Sequence, residues 1–441
     1  MLIRSWEIVN VIFTFLFLVK IFCRNQVAIL FYLFVYCTLH FAYAAWPVIV
    51  GMPAATINLV HIEGSGILAT TSAAIVLLSA LLALVFANIH ALREERVLRN
   101  IFLGSIVLIT ISYAFNVRID NFLQLKNVFG IVFIVLMPLL LMSLSDWSGL
   151  VIGTEKRKVF MVILFVMVFV AFFEVYSLRA WATFENTRGE VIFRSSSLMF
   201  NPNLFGLWCV LVALGAAYLF QRNREGDGGF MLTVLVMAMS GLYMAGSRGL
   251  ALALFICLFG IAIVAKKMSA WRRWVPTLAM PTVFLCLVLL SSFIGMLNEG
   301  HRTNWNAFVL LGERFVALPI YLARYCLSHV IQFPSVPLEF AESVEGRFVG
   351  ELRDSGWLVV YDDAGWLGVA VLLGLWSYFA FLGLRTYYRY RDITSIYALA
   401  ALLLSLATGL FMRFQIFPTG LFVAFMLAPC LNYWRLVRSA D

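Results

Sequence analysis

Charge is what this 441-residue chain has least of: charged residues make up 12% of it against 63% hydrophobic residues, and the mean hydropathy is +0.95. A soluble fold cannot keep that much apolar surface from water, so that class is excluded first. Walker-type phosphate loops, dinucleotide-binding glycine fingerprints and HExxH helices are also missing. ATP hydrolysis, redox chemistry with nicotinamide or flavin, and zinc proteolysis are therefore left without a sequence basis. The seven cysteines, an odd number, fall mostly inside apolar runs, and only Cys326 lies in a long polar stretch. A disulfide framework is not expected, and no Cys/His spacing matches a metal site. The chain thus calls for no metal and no cofactor. Ten-residue hydrophobic alternation of the outer-membrane-barrel kind is absent too, which leaves helices as the spanning structure.

What is present is a succession of apolar runs, each of about 17 to 25 residues and so able to cross the hydrocarbon core as a helix. They begin near Trp6, Val27, Gly66, Ile101, Val128, Val159, Leu204, Phe230, Leu250, Val275, Ala364, Ser395 and Thr419. The expected fold is an all-α polytopic membrane protein of about 12–14 transmembrane helices. Residues 1–295 hold the first ten spans, 296–363 form one large polar loop between the tenth and eleventh, and 364–441 hold the last spans and a tail. Lys20-Ile21-Phe22-Cys23-Arg24 after the first run lacks a small-residue cleavage site, so that span is expected to be retained.

Basic residues orient the spans. Nineteen lysines and arginines fall in loops or helix ends on one side, among them Arg93, Lys156, Lys266 and Arg385, against eight in the short loops of the other. By the positive-inside rule the first side is cytoplasmic. The loop of 296–363 then faces outward, to a periplasm or the cell exterior. The net charge of +9 is accounted for by topogenic arginines and anionic lipid, and needs no nucleic acid.

Ionisable residues are almost absent from span interiors; Glu174 and Asp146 lie near helix ends. Ion-coupled transporters usually need buried charges or broken helices at mid-membrane, so that class is disfavoured. The outward ends are different. Arg179, Arg188 and Arg194 share one loop, Arg248 stands in the tight Gly246-Ser247-Arg248-Gly249 hairpin, and Arg302, Arg314, Arg324, Arg347 and Arg353 lie in the long loop. Guanidinium forks bind phosphate oxygens bidentately, so an arginine-lined vestibule suits a phosphate-bearing substrate. The competing reading is that each arginine snorkels to lipid headgroups. At the hairpin, flanking glycines let backbone approach backbone and would aim Ser247 and Arg248 at an occupant, unless Arg248 only caps helix-end carbonyls. Asn201-Pro202-Asn203 suits a helix start, with Asn201 or Asn203 as N-cap. The positive end of that helix beside Arg194 would strengthen an anion site.

Three segments together resemble the superfamily of O-antigen ligases and Wzy-type polysaccharide polymerases. Arg194-Ser-Ser-Ser-Leu-Met-Phe-Asn201-Pro202-Asn203 is similar to its R-x-x-G-x-x-x-N-P-N segment, and Gly246-Ser247-Arg248-Gly249-Leu-Ala-Leu-Ala-Leu to its S-R-G segment. Asp354-Ser355-Gly356-Trp357-Leu358 with Asp362-Asp363-Ala364-Gly365-Trp366-Leu367-Gly368 resembles the motif that closes the periplasmic loop. The resemblance covers about residues 190 to 370. It implies a GT-C-like, metal-independent glycosyltransferase that takes a glycan from undecaprenyl pyrophosphate. In the polymerases the acceptor is the non-reducing end of another lipid-linked repeat unit; in the ligases it is lipid A-core. By the same resemblance Arg194 and Arg248 hold the pyrophosphate, with Ser247, Asn203, Arg188, Arg347 and Arg353 as further substrate-binding candidates. A chain-length regulator protein is the implied partner. Two departures stand out: the family glycine is Ser197 here, so the backbone need not take the same turn, and Asp354 stands where ligases commonly carry histidine. The aspartate favours the polymerase.

Displacing a sugar from pyrophosphate needs charge stabilisation on the departing oxygens and a base for the incoming hydroxyl. Asp354, beside Arg353 and before Ser355-Gly356, is the candidate catalytic base, with helix N-capping as its alternative role. His329 and His301 are rival bases by intrinsic pKa. Asp362-Asp363 reads as a charged helix start rather than a metal pair. Trp357, Trp366, Tyr361 and Trp305 can stack on sugars or mark the membrane interface.

Overall fold

The structure is a computed structural model that describes residues 2–23, 26–39, 75–87, 96–116, 154–177, 183–185, 191–193, 195–199, 201–222, 228–265, 282, 355–391, 393–412 and 419–427. These form helices α1 (Leu2–Cys23), α2 (Gln26–Leu39), α3 (Ile75–Ala87), α4 (Arg96–Asn116) and α5 (Thr154–Ser177). There follow α6 (Pro202–Arg222), α7 (Gly228–Ala245), α8 (Arg248–Ala265), α9 (Gly356–Tyr390), α10 (Ile393–Phe411) and α11 (residues 419–427). The chain is a helical membrane protein. Among the described residues Glu155–Val175, Pro202–Gln221, Gly228–Ala245 and Ala364–Tyr390 are long and apolar enough to cross a membrane, and six shorter apolar helices accompany them. The expected run near Val128, and all but one residue of that near Val275, lie outside the described residues; each of the others overlaps a helix.

Two departures from the sequence reading concern secondary structure. A two-stranded antiparallel hairpin interrupts the all-α pattern, with β1 (Thr183–Glu185) pairing β2 (Val191–Phe193) in the register Thr183 to Phe193. And Asp362-Asp363, which stand directly before the Ala364–Tyr390 span as a charged helix start would, are themselves already helical. α9 already begins at Gly356, inside the stretch assigned to the loop, and the two aspartates close its first segment just before a break at Gly365 (φ 60°, ψ −164°). Such a φ is strained for any residue with a Cβ, so glycine is what permits the break. The interruption leaves the Ala364 carbonyl to accept from the Ser112 hydroxyl of α4.

Helix α6 is the core. Its span is 83% buried, against 33% for α5. It packs along α7 and also touches α8 and α10, while α5 lies on α7, α8 on α10, and α9 on α4 and α10. Lipid tails are as apolar as leucine, so close backbone approach and interhelical hydrogen bonds decide which helices pair. Gly241 of α7 shows the first device: a Cβ there would stand 2.8 Å from the Cys209 sulfur and 3.1 Å from the Phe205 ring of α6. Trp208 shows the second. Fully buried, it donates its indole N–H to the Thr38 hydroxyl of α2 (3.0 Å) and stacks with Phe34 and Phe205. On α5, by contrast, Phe165, Phe169, Phe172 and Phe173 are exposed. An apolar outer face is what a lipid-facing helix presents.

Candidate functional site

The site is built where two segments 45 residues apart are bonded together at one end of the bundle. Asn201 starts α6: its carbonyl accepts the first helical bond from Phe205 N–H, and its Oδ1 accepts from Asn203 N–H (2.9 Å) and Leu204 N–H (3.2 Å). Between the two residues weighed as caps, Asn201 is therefore the N-cap and Pro202 the first helical residue, where a missing N–H costs nothing. Gly246, at φ 60°, ends α7 with its N–H on the Tyr243 carbonyl; Ser247 gives its carbonyl to Ala251 N–H and so caps α8, which begins at Arg248. Arg248 thus stands where its own helix presents N–H groups rather than carbonyls.

Hydrogen bonds join these segments. Ser195 N–H donates to the Met244 carbonyl (3.0 Å), and the Ser247 hydroxyl donates to the Pro202 carbonyl (3.1 Å). The second requires a glycine opposite. A Cβ on Gly206 would lie 2.4 Å from Ser247 Oγ, inside any real contact distance. Ser247 is buried, so it fastens the hairpin to α6 rather than facing open space, which corrects the orientation expected for it. The result is that the N-termini of α6 and α8 meet. Each carries about half a positive elementary charge, and two together make an anion-attracting end.

Glu174, on α5, is the residue that the sequence reading missed. It is 1% exposed and its carboxylate accepts from the Ser195 hydroxyl, from Ser196 N–H (3.1 Å) and hydroxyl (3.3 Å), and from Ser197 N–H (2.9 Å). Ser197 in turn donates its hydroxyl to the Met167 carbonyl (2.6 Å). Ser197 has φ 49°, in the left-handed region. The position thus takes the kind of turn that a glycine allows, although it is serine. A sequence signal existed. Phe160, Leu164, Met167, Ala171 and Glu174 recur at three- and four-residue spacing and are all buried, so the carboxylate stands where the inner apolar stripe calls for its next member.

α9 opens at the same end. Tyr218, near the end of α6, meets Thr394 (3.2 Å) and Tyr397 in the first turns of α10, and Cys257, midway along α8, lies on the Ala400 carbonyl further down α10 (3.7 Å). α10 therefore runs antiparallel to α6 and α8, and its last turn points back toward their N-termini. There the Ser355 hydroxyl donates to the Gly409 carbonyl (3.3 Å) and the Trp357 indole to the Leu406 carbonyl (3.3 Å). Ser355 occupies the N-cap position of α9: its carbonyl accepts from Val359 N–H, while its hydroxyl is turned to Gly409 and caps no helical N–H. Trp357 lies edge-on to Trp376 and Tyr361 edge-on to Trp366, which makes all four partners in aromatic packing. Asp354, Arg188, Arg194, Arg347, Arg353, His301, His329 and Trp305 lie outside the described residues, as does the side chain of Arg248. Asn203 is described, half-buried in the first turn of α6. Comparison with family models, curated proteins and solved structures finds no match to this chain.

Proposed function

We propose that the chain is a membrane glycosyltransferase of GT-C-like architecture, with about 12–14 spans, that transfers a glycan from undecaprenyl pyrophosphate to the non-reducing end of another lipid-linked repeat unit. It works at the periplasmic face of a bacterial inner membrane without a metal, as the resemblance implies. One observation carries this reading. The segments 195–203 and 246–249 are bonded together, and residue 355 lies at the same end of the bundle, although up to 160 residues separate them in sequence. These are the three segments that resemble the superfamily.

In the proposed reaction an acceptor hydroxyl attacks the anomeric carbon, the bond from that carbon to the pyrophosphate oxygen breaks, and the hydroxyl proton passes to Asp354. Arg194 and Arg248, with the paired helix N-termini, stabilise the departing pyrophosphate. Ligation to lipid A-core is the neighbouring reading, and Asp354 in place of histidine disfavours it. Transport is the reading from another class. The broken helix it would use is present, but Gly365 is the second residue of its Ala364–Tyr390 span and not its middle.

The test is Asp354→Asn in purified protein reconstituted in nanodiscs with lipid-linked repeat units from the source strain. Loss of a general base reduces turnover by roughly 10² to 10⁴ with donor binding kept. Near-normal turnover, with loss in His329→Ala instead, moves the base to His329. In a deletion strain, single repeats on the acceptor signify a polymerase, and polymer left on undecaprenyl pyrophosphate signifies a ligase.

A further inference from the structure

We propose that Glu174 is a positioning residue for the anion site, an inference that rests on the reading above. Its carboxylate is the only charged group on the inner stripe of α5 formed by Phe160, Leu164, Met167, Ala171 and Glu174. It gathers two consecutive backbone N–H groups and two hydroxyls of Ser195, Ser196 and Ser197. Those three residues have only one short helical turn beside them, the 3-10 turn Ser197–Met199 closed by Met199 N–H on the Ser196 carbonyl (3.1 Å), and Ser197 is in the left-handed region. A turn of that kind persists only where its surroundings over-determine it. Here α5 does so from two points seven residues apart, Glu174 through its side chain and Met167 through its carbonyl.

What the turn carries gives it a functional meaning. Ser195 is covalently joined to Arg194, and its N–H is fixed on Met244 at the end of α7; four residues after Ser197, Asn201 caps α6. Glu174 therefore holds the strip of chain that follows Arg194, the proposed pyrophosphate-binding arginine, and leads into the α6 N-terminus. A carboxylate is suited to this because one oxygen can accept several N–H and O–H donors at once. An apolar residue in its place leaves buried N–H groups unpaired and the turn loose.

The probe is geranyl pyrophosphate, a short-chain lipid pyrophosphate, titrated into the full-length protein in nanodiscs. Glu174→Leu is expected to weaken binding about tenfold, as for one charge-assisted contact displaced, while Glu174→Gln, whose amide oxygen still accepts, stays within about threefold. In an Arg194→Ala background Glu174→Leu is expected to cause no further loss, because both act on one contact. Should Glu174→Leu fail to accumulate, Ser195→Ala, which removes one donor to the carboxylate, is carried through the same cycle with an expected loss of about threefold. Unchanged affinity in the Glu174 or Ser195 variant used, or equal losses in the two backgrounds, overturns the positioning role while leaving the site reading standing. Wild-type affinity in both Arg194→Ala and Arg248→Ala overturns the site reading itself.

Discussion

Helices α5 and α6 are both apolar and both of membrane length, yet the more apolar of the two is the outer one. Of the α5 span 33% is buried, and of the α6 span 83%. Hydropathy in a bilayer protein marks what can face lipid, and it does not mark the core, because burial among helices gains no hydrophobic energy over burial in acyl chains. What draws α6 inward is chemistry that lipid cannot match: a glycine seat for Ser247, small residues such as Ala213, Ala216 and Ala217, and an indole N–H with a partner on α2. α5 contributes the reverse. Its outer face is phenylalanine and valine, and it touches the candidate site through Glu174, Met167 and the turn they hold.

The comparison breaks most severely at Gly206. Gly206→Val pushes atoms into Ser247, whose Oγ would stand 2.4 Å from the new Cβ, and prises the α7–α8 hairpin from α6. Overpacking of that kind costs about 1–3 kcal/mol or more, and the expected result is a strongly lowered midpoint in thermal unfolding of the detergent-solubilised protein. Gly206→Ala is milder, and adding Ser247→Gly, which removes the obstructing atoms, is expected to restore part of the loss. An unaltered midpoint in Gly206→Val would mean that the hairpin is not seated on α6.

The proposed anion-binding role of the α6 end is sharpened by Arg248→Ala and Arg194→Ala. Each is expected to reduce glycan transfer about ten- to a hundredfold, as for one charge-assisted phosphate contact, with protein abundance unchanged. Lysine at either position restores charge without the planar fork and is expected to rescue partly. Transfer at the wild-type rate in both alanine variants removes the pyrophosphate role.

Smaller still is the indole bond. Trp208→Phe stays aromatic but loses the donor to Thr38 and part of a fully buried bicycle; the hydrogen-bond share of the destabilisation is expected to be about 0.6 kcal/mol, the average for interhelical polar contacts in membranes, with the cavity adding to it. Thr38→Val is expected to cost a similar hydrogen-bond share, and the pair to cost less than the sum of the two, read from unfolding midpoints in one detergent. Least of all is the outer face of α5. Phe169→Leu exchanges one lipid-facing apolar side chain for another, and a shift within about 0.5 kcal/mol is expected. A large loss there would show that α5 has a protein partner on that face.

Much of this was legible in the residues. Scarce charge and repeated long apolar runs dictate a helical membrane protein, because unpaired backbone groups are untenable in lipid. Local chemistry marked the α6 start at Asn201-Pro202 and the tight hairpin at Gly246-Ser247, since caps and left-handed turns depend on residues near in sequence. The break at Gly365 was not legible: a glycine within an apolar run is commonplace in membrane helices, and its left-handed φ here accompanies the contact from Ser112 on α4.

By itself the sequence determined the class of protein and the helical runs, and narrowed the α6 cap to Asn201 or Asn203, all of which depend on solvent and on neighbours within a turn or two. Tertiary structure decided the rest: that α6 is central, that Ser247 fastens α8 to α6, that Ser197 turns left-handed without being glycine, and that Glu174, which the α5 stripe already turns inward, holds it. Each of these is a hydrogen bond or close approach between segments 21 or more residues apart. Such contacts have no local signature, because their energy exists only once both partners have been brought together.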